Sequence, residues 1–204
     1  MVQQRHREAA ERAAQYAAES GDAYDELVAE GIRYASRQDP RREAKAYREA
    51  IALRPDEPEA YYNLGAALAN SAHHVEAAQR FLEARERYPV GSEMWARTTA
   101  AAFSMLMQKA CAEVAKPEWW SDEGLKALSA RVVRAAPDHL GSNMMRAHVL
   151  CGQLNTWESG PRSAAEVREA AAHFERAAAL HTAPAVKAEL AHAAAGCRRQ
   201  AEAM

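Results

Sequence analysis

No run of 18 apolar residues occurs in the 204-residue chain, so no segment reads as a membrane-spanning helix. The start, Met1-Val2-Gln3-Gln4-Arg5-His6, lacks the apolar stretch of a secretory signal. Cysteine is scarce and odd in number. Cys111, Cys151 and Cys197 are widely spaced and include no CxxC pair, which argues against a disulfide framework or a zinc knuckle. A cytoplasmic or other reducing intracellular compartment is expected. The formal net charge is only −2, and the basic pairs Arg41-Arg42 and Arg198-Arg199 are short and interleaved with Glu, so no nucleic-acid stripe is present. There is no Gly-rich phosphate loop, GxSxG elbow or HExxH helix. His73-His74 with Glu76 nearby lacks a fixed third ligand, and a solvated turn explains it better than a metal. No catalytic residue, metal or cofactor is expected.

What the chain has is alanine, glutamate and arginine, which lose little rotamer freedom in a helix. It also has a period. Leu27, Tyr61 and Trp95 are evenly spaced, and the same interval separates Gly31 from Gly65, Tyr47 from Phe81, Ala50 from Ala84, and Pro55 from Pro89. Within 58–91, Tyr61, Leu64, Gly65 and Leu68 form an apolar stripe on a first helix. Ala77, Phe81 and Ala84 follow on a second, and Pro89 closes the unit. The order bulky-x-x-L-G-x-x-bulky, then A-x-x-x-F-x-x-A-x-x-x-x-P, resembles the tetratricopeptide repeat. An ordinary helical bundle would show no fixed phase of this kind. The resemblance implies an all-α, right-handed superhelical solenoid of antiparallel helix pairs, with about ten helices. It is read as a single domain over 1–204, with capping helices at 1–22 and 184–204, regular repeats at 24–57 and 58–91, and irregular ones at 92–138 and 139–183.

The departures are specific. Glu43 replaces a small residue of the second helix in the first repeat, and Thr99 stands where the third needs Gly. Pro137, which closes the third unit, follows Pro89 by well over one period. A segment is therefore inserted, roughly Val114 to Trp120, with the first helix of that repeat expected to run on toward Glu113. A second insertion covers 152–162. Both fall in the turn within a repeat and should lie near one another. One carries Trp119 and Trp120, the other Trp157. Ser121 reads as an N-cap with Trp120 at hydrophobic-staple spacing to Leu125, and Ser163 with Glu166 as a capping box. Trp120 is therefore read as structural, while Trp119 and Trp157 stay open between structure and partner docking.

In tetratricopeptide proteins the inner surface is lined from the first helix of each pair. The resemblance carries that surface onto Asp25, Val28 and Ile32, onto Glu59, Tyr62, Asn63 and Ala66, and onto Glu93, Arg97 and Phe103. Asp25, Glu59 and Glu93 then form an acidic column beside an apolar floor in which Tyr62 and Phe103 are the large aromatics. First-turn carboxylates also simply favour the helix dipole. The expected partner is a protein or peptide segment with Lys or Arg beside an apolar anchor. Some family members hold the acidic C-terminal tail of a chaperone in a basic clamp. Here the clamp positions hold Val28, Ile32, Asn63, Glu93 and Arg97, and Glu93 has the wrong sign. The chain is thus read as a protein-binding adaptor, the alternative being a constitutive subunit docked through the Trp-bearing loops or outer face.

Overall fold

The computed structural model describes residues 2–152 and 156–204, so Gln153, Leu154 and Asn155 of the second insertion lie outside the described residues. Ten α-helices, one short 3-10 turn and no strand make up the described residues. The chain divides into two compact units, Met1–Tyr88 and Pro89–Met204. The fold is all-α, built from helices that pack against their neighbours in chain order within each unit.

The first unit holds α1 (Val2–Ser20), α2 (Ala23–Ser36), α3 (Pro40–Leu53), α4 (Pro58–Asn70) and α5 (His74–Arg87). Local chemistry sets its boundaries. Asp22 caps α2 by accepting from Tyr24 N at 2.8 Å, and Asp39 caps α3 by accepting from Arg42 N at 3.2 Å. Pro40 and Pro58 open α3 and α4, where a missing N–H costs nothing. The repeat's glycines are explained by packing. A Cβ at Gly31 would lie 2.6 Å from Tyr47 Cζ, and one at Gly65 would lie 2.9 Å from Phe81 Cδ1. Each ring therefore fills the space that a side chain on the facing helix would take. Tyr47 and Phe81 are both buried there, together with Ala50, Leu64 and Ala84. Full burial of such an aromatic contributes about 1.5–3 kcal/mol. The Glu43 departure has a local cost, since burial raises its carboxyl to about 7.

The repeat also extends to backbone strain. Gln38 and Ala72, at equivalent positions of the two regular repeats, have φ of 57° and 61°, the left-handed conformation that turns the chain from one helix into the next. Glycine adopts it without the Cβ penalty of roughly 1–2 kcal/mol. Ala72→Gly is therefore expected to stabilise the protein by about 0.5–1 kcal/mol after the extra chain entropy of glycine is subtracted. Thermal unfolding followed by circular dichroism checks this, and an unchanged or lowered Tm contradicts it.

The second unit holds α6 (Glu93–Leu106), the 3-10 turn (Lys109–Cys111), α7 (Asp122–Ala135), α8 (Leu140–Cys151), α9 (Ala164–Leu180) and α10 (Pro184–Glu202). Here α6 packs on α7 and α8, and α8, α9 and α10 follow in order. Their shared core includes Leu150, Val167, Phe174 and Leu190 together with Cys151 and Cys197. Ser121 caps α7 through Gly124 N, and Ser163 with Glu166 forms the complete capping box of α9. In this third pair Thr99 replaces glycine, and Ser129 stands before Pro137 as Tyr47 stands before Pro55 and Phe81 before Pro89. Both are fully buried. The third pair thus carries a small hydroxyl side chain at both positions in place of a glycine facing an aromatic ring.

One expectation is corrected. The first helix of the third repeat does not run toward Glu113 but ends at Leu106. The chain then turns to bury Cys111, and Lys116 Nζ reaches back to the carbonyls of Leu106, at 3.5 Å, and Cys111. Those charge-assisted bonds take up carbonyls near the helix end.

Candidate protein-binding surfaces

The inner-face positions of the first unit come from α2 and α4. Tyr24 joins the two helices: it is buried, its hydroxyl accepts from Ala60 N at 3.3 Å, and the Arg54 guanidinium lies 5.3 Å from its ring centroid while pairing with Asp22. Burial pushes the Tyr24 phenol up to about 12 against the pull of the Ala60 N–H, and the carboxylates of Glu59, Glu57 and Asp25 reinforce the rise. Three acids thus crowd one phenol at the start of these helices. Packing around the Glu59 carboxyl, then Asp25 and Glu57, hold it above the usual carboxylate range, although the side chain as a whole is exposed. Glu57 belongs to this group as well. Its place just before Pro58 is the only sequence signal for it.

Beside the acids, Ile32, Tyr62, Asn63 and Ala66 are half-buried and available at the surface, with the Tyr62 ring 5.7 Å from that of Phe81. Val28 is different. It is buried, so it supports the face without presenting a side chain to it.

In the second unit Glu93 is exposed and lies 3.7 Å from Arg97, one turn along α6. Together they border a cavity of about 340 Å³ that also meets Pro137 and His139. Phe103 is corrected from floor residue to core residue, because only 2% of it is exposed. Its ring stands 5.5 Å from Trp120 and 6.1 Å from Trp157, while Trp120 and Trp157 meet edge-on at 6.1 Å.

The two insertions do lie together, as their common position predicts. Trp120 Nε1 donates to Thr156 O at 3.1 Å, and Trp157 Nε1 donates to Asp122 at 3.3 Å. Trp157 is therefore a buried tie between the loops and not an exposed anchor. Trp119 remains half-exposed, its ring 5.6 Å from Trp120. The tie is completed by a residue that sequence reading missed. Arg162 places Nη1 2.9 Å from Asp122 Oδ2 and binds Oδ1 through Nη2, which also donates to Val149 O at 3.0 Å. It passes so close to Gly152, φ 64°, that a Cβ there would meet Arg162 Nε at 2.9 Å.

Among the described residues no group of three or more His, Cys, Asp or Glu could hold a metal ion, and no helix is long and apolar enough to cross a membrane. A family model described as TPR repeat matches residues 44–71, which spans most of α3, the following turn and α4. No curated protein matches the chain. A solved structure described as "Functional Characterization of Pseudomonas Aeruginosa pilF" is similar over 100% of this chain and 90% of its own length, with a TM-score of 0.62 and 15% sequence identity. At that identity the likeness speaks to the fold. Helix-pair repeats of this kind support a protein-interaction or scaffold role.

Proposed function

We propose, from the premise that the chain is a tetratricopeptide-repeat protein, that it is an adaptor holding a segment of a protein partner along the face shared by α2 and α4. The observation that carries this reading is the placement of acid beside apolar surface. Asp25, Glu57 and Glu59 act on one phenol, next to half-buried Ile32, Tyr62 and Ala66. A segment with Lys or Arg beside an apolar side chain complements it in charge and shape. A basic group brought there relieves the repulsion that Asp25 and Glu57 exert on Glu59. A docked subunit anchored through the inserted loops is the alternative, and it rests on Trp119 because Trp157 is inside.

Selection of peptides from a random-sequence display library tests the adaptor reading. The expected consensus pairs a basic residue with an apolar one. Tyr62→Ala should weaken the selected peptides about tenfold or more. Asp25→Asn and Glu59→Gln should remove the preference for Lys or Arg. Peptides bound equally by the wild type and by Tyr62→Ala and Glu59→Gln would show that this face is not the docking surface.

A further inference from the structure

Between α3 and α4 lies a second concavity, of about 360 Å³, that shares no residue with the face just described. It is lined by Arg41, Ala44 and Arg48 of α3, by Leu68 and Ser71 at the end of α4, and by His73. The polar groups among these are two guanidiniums, an imidazole and a hydroxyl. The acid next to them, Glu76, is engaged by Arg48 at 2.9 Å. Arg41 is exposed and has no ion-pair partner among the described residues.

The repeat itself shows what is missing. In the first repeat the turn residue is Asp39, and its carboxylate caps α3. The equivalent position of the second repeat is His73, which makes no capping bond to α5. The second turn therefore has an imidazole where the first has an acid, and the wall around it is basic. Ala44 and Leu68 give the cavity an apolar side suited to a methylene stem.

We propose that this concavity is a docking pocket for an acidic side chain, aspartate or glutamate, carried by an extended segment of a protein partner. The carboxylate sits between Arg41 and His73, and Arg48 is shared with Glu76. An Arg fork and a hydroxyl suit a planar carboxylate, and a protein partner supplies the stem that the apolar side accepts. The pocket extends the binding role beyond the acidic face, and it selects the opposite charge.

The full chain is titrated against a fluorescein-labelled Gly/Ser peptide carrying Glu-Asp-Glu, with a Gln-Asn-Gln version as control, and anisotropy is read. The acidic peptide should bind saturably and the control about tenfold or more weakly. Arg41→Glu, at an exposed position, should weaken the acidic peptide by about tenfold or more while leaving the melting temperature unchanged. His73→Asp restores the acid found at Asp39, so it should raise the melting temperature and abolish binding. Tyr62→Ala should leave this binding intact, which separates failure of the pocket from failure of the α2/α4 face. Acidic-peptide binding that survives Arg41→Glu overturns the proposal. So does displacement by inorganic phosphate as effective as by unlabelled peptide, which would mark a generic small-anion site.

Discussion

Asp122→Ala is expected to remove about 3–5 kcal/mol from the stability of the second unit, a large share of the roughly 5–15 kcal/mol that holds an ordinary domain folded. The reason is what the substitution leaves behind. The Arg162 side chain is 5% exposed, and its guanidinium is held by both Asp122 oxygens and by backbone carbonyls. Carbonyls alone do not balance a buried full charge. Trp157 Nε1 loses its acceptor in the same change. Arg162→Met in the Asp122→Ala background removes the lone cation and should recover much of the loss, because an apolar pair tolerates burial better than half an ion pair. Urea denaturation of the wild type and the two variants measures this. A single mutant losing less than about 1 kcal/mol, or a double no better than the single, would contradict it.

The same pair gives a pH signature. The Arg162 hydrogen bonds, with Trp157 and Lys126 assisting, hold the Asp122 carboxyl at about 2, below its ordinary value of 3.8. A carboxylate depressed on folding stabilises the protein above its unfolded pKa, and that contribution is lost as pH falls through the folded value. About 2 kcal/mol should therefore disappear between roughly pH 4 and pH 2. Glu166, bonded by Lys126 and the Ser163 cap and also held at about 2, adds to the loss over the same window. Asp122→Asn, which cannot titrate, should flatten that part of the stability curve.

Local chemistry is what the sequence made legible. Ser121, Ser163 and Glu166 act through bonds between near neighbours in the chain, so their spacing is their structure. The shared phase of Gly31, Tyr47, Gly65 and Phe81 likewise encodes a contact between adjacent helices. The irregular half was harder to read because its order comes from pairs far apart in the chain. Asp122 and Arg162 are 40 residues apart, and neither sits in a repeating position. Phe103 has the register of a groove residue, but two insertions with no counterpart in the regular repeats bring Trp120 and Trp157 over it. The end of α6 is the same kind of case. Met107 to Glu113 is rich in helix formers, and burial of Cys111 overrides that preference. At the candidate face, the shared phase of Asp25 and Glu59 was legible in the sequence, whereas the inclusion of Glu57 depended on where Tyr24 packs.

The replacement of a glycine and an aromatic ring by two hydroxyl residues in the third repeat makes the final prediction quantitative. Gly31→Thr alone places a Cβ within 2.6 Å of the buried Tyr47 ring and should cost about 1–3 kcal/mol, the usual penalty for overpacking. Tyr47→Ser alone empties a site only 2% exposed and should cost about 3–5 kcal/mol. The double variant reproduces what the third repeat already carries in Thr99 and Ser129. There the hydroxyls are satisfied: Thr99 Oγ1 donates to Trp95 O at 2.7 Å, and Ser129 Oγ donates to Lys126 O and accepts from Arg146. A threonine at position 31 has the corresponding carbonyl, that of Leu27, one turn back. The new side chain fills part of the space that the lost ring vacates, so the two changes should not add. The double is expected to be more stable than the sum of the singles by about 1–2 kcal/mol. Costs that add within about 0.5 kcal/mol would mean that Gly31 and Tyr47 do not share one volume, and the packing explanation of the repeat glycine would fall with it.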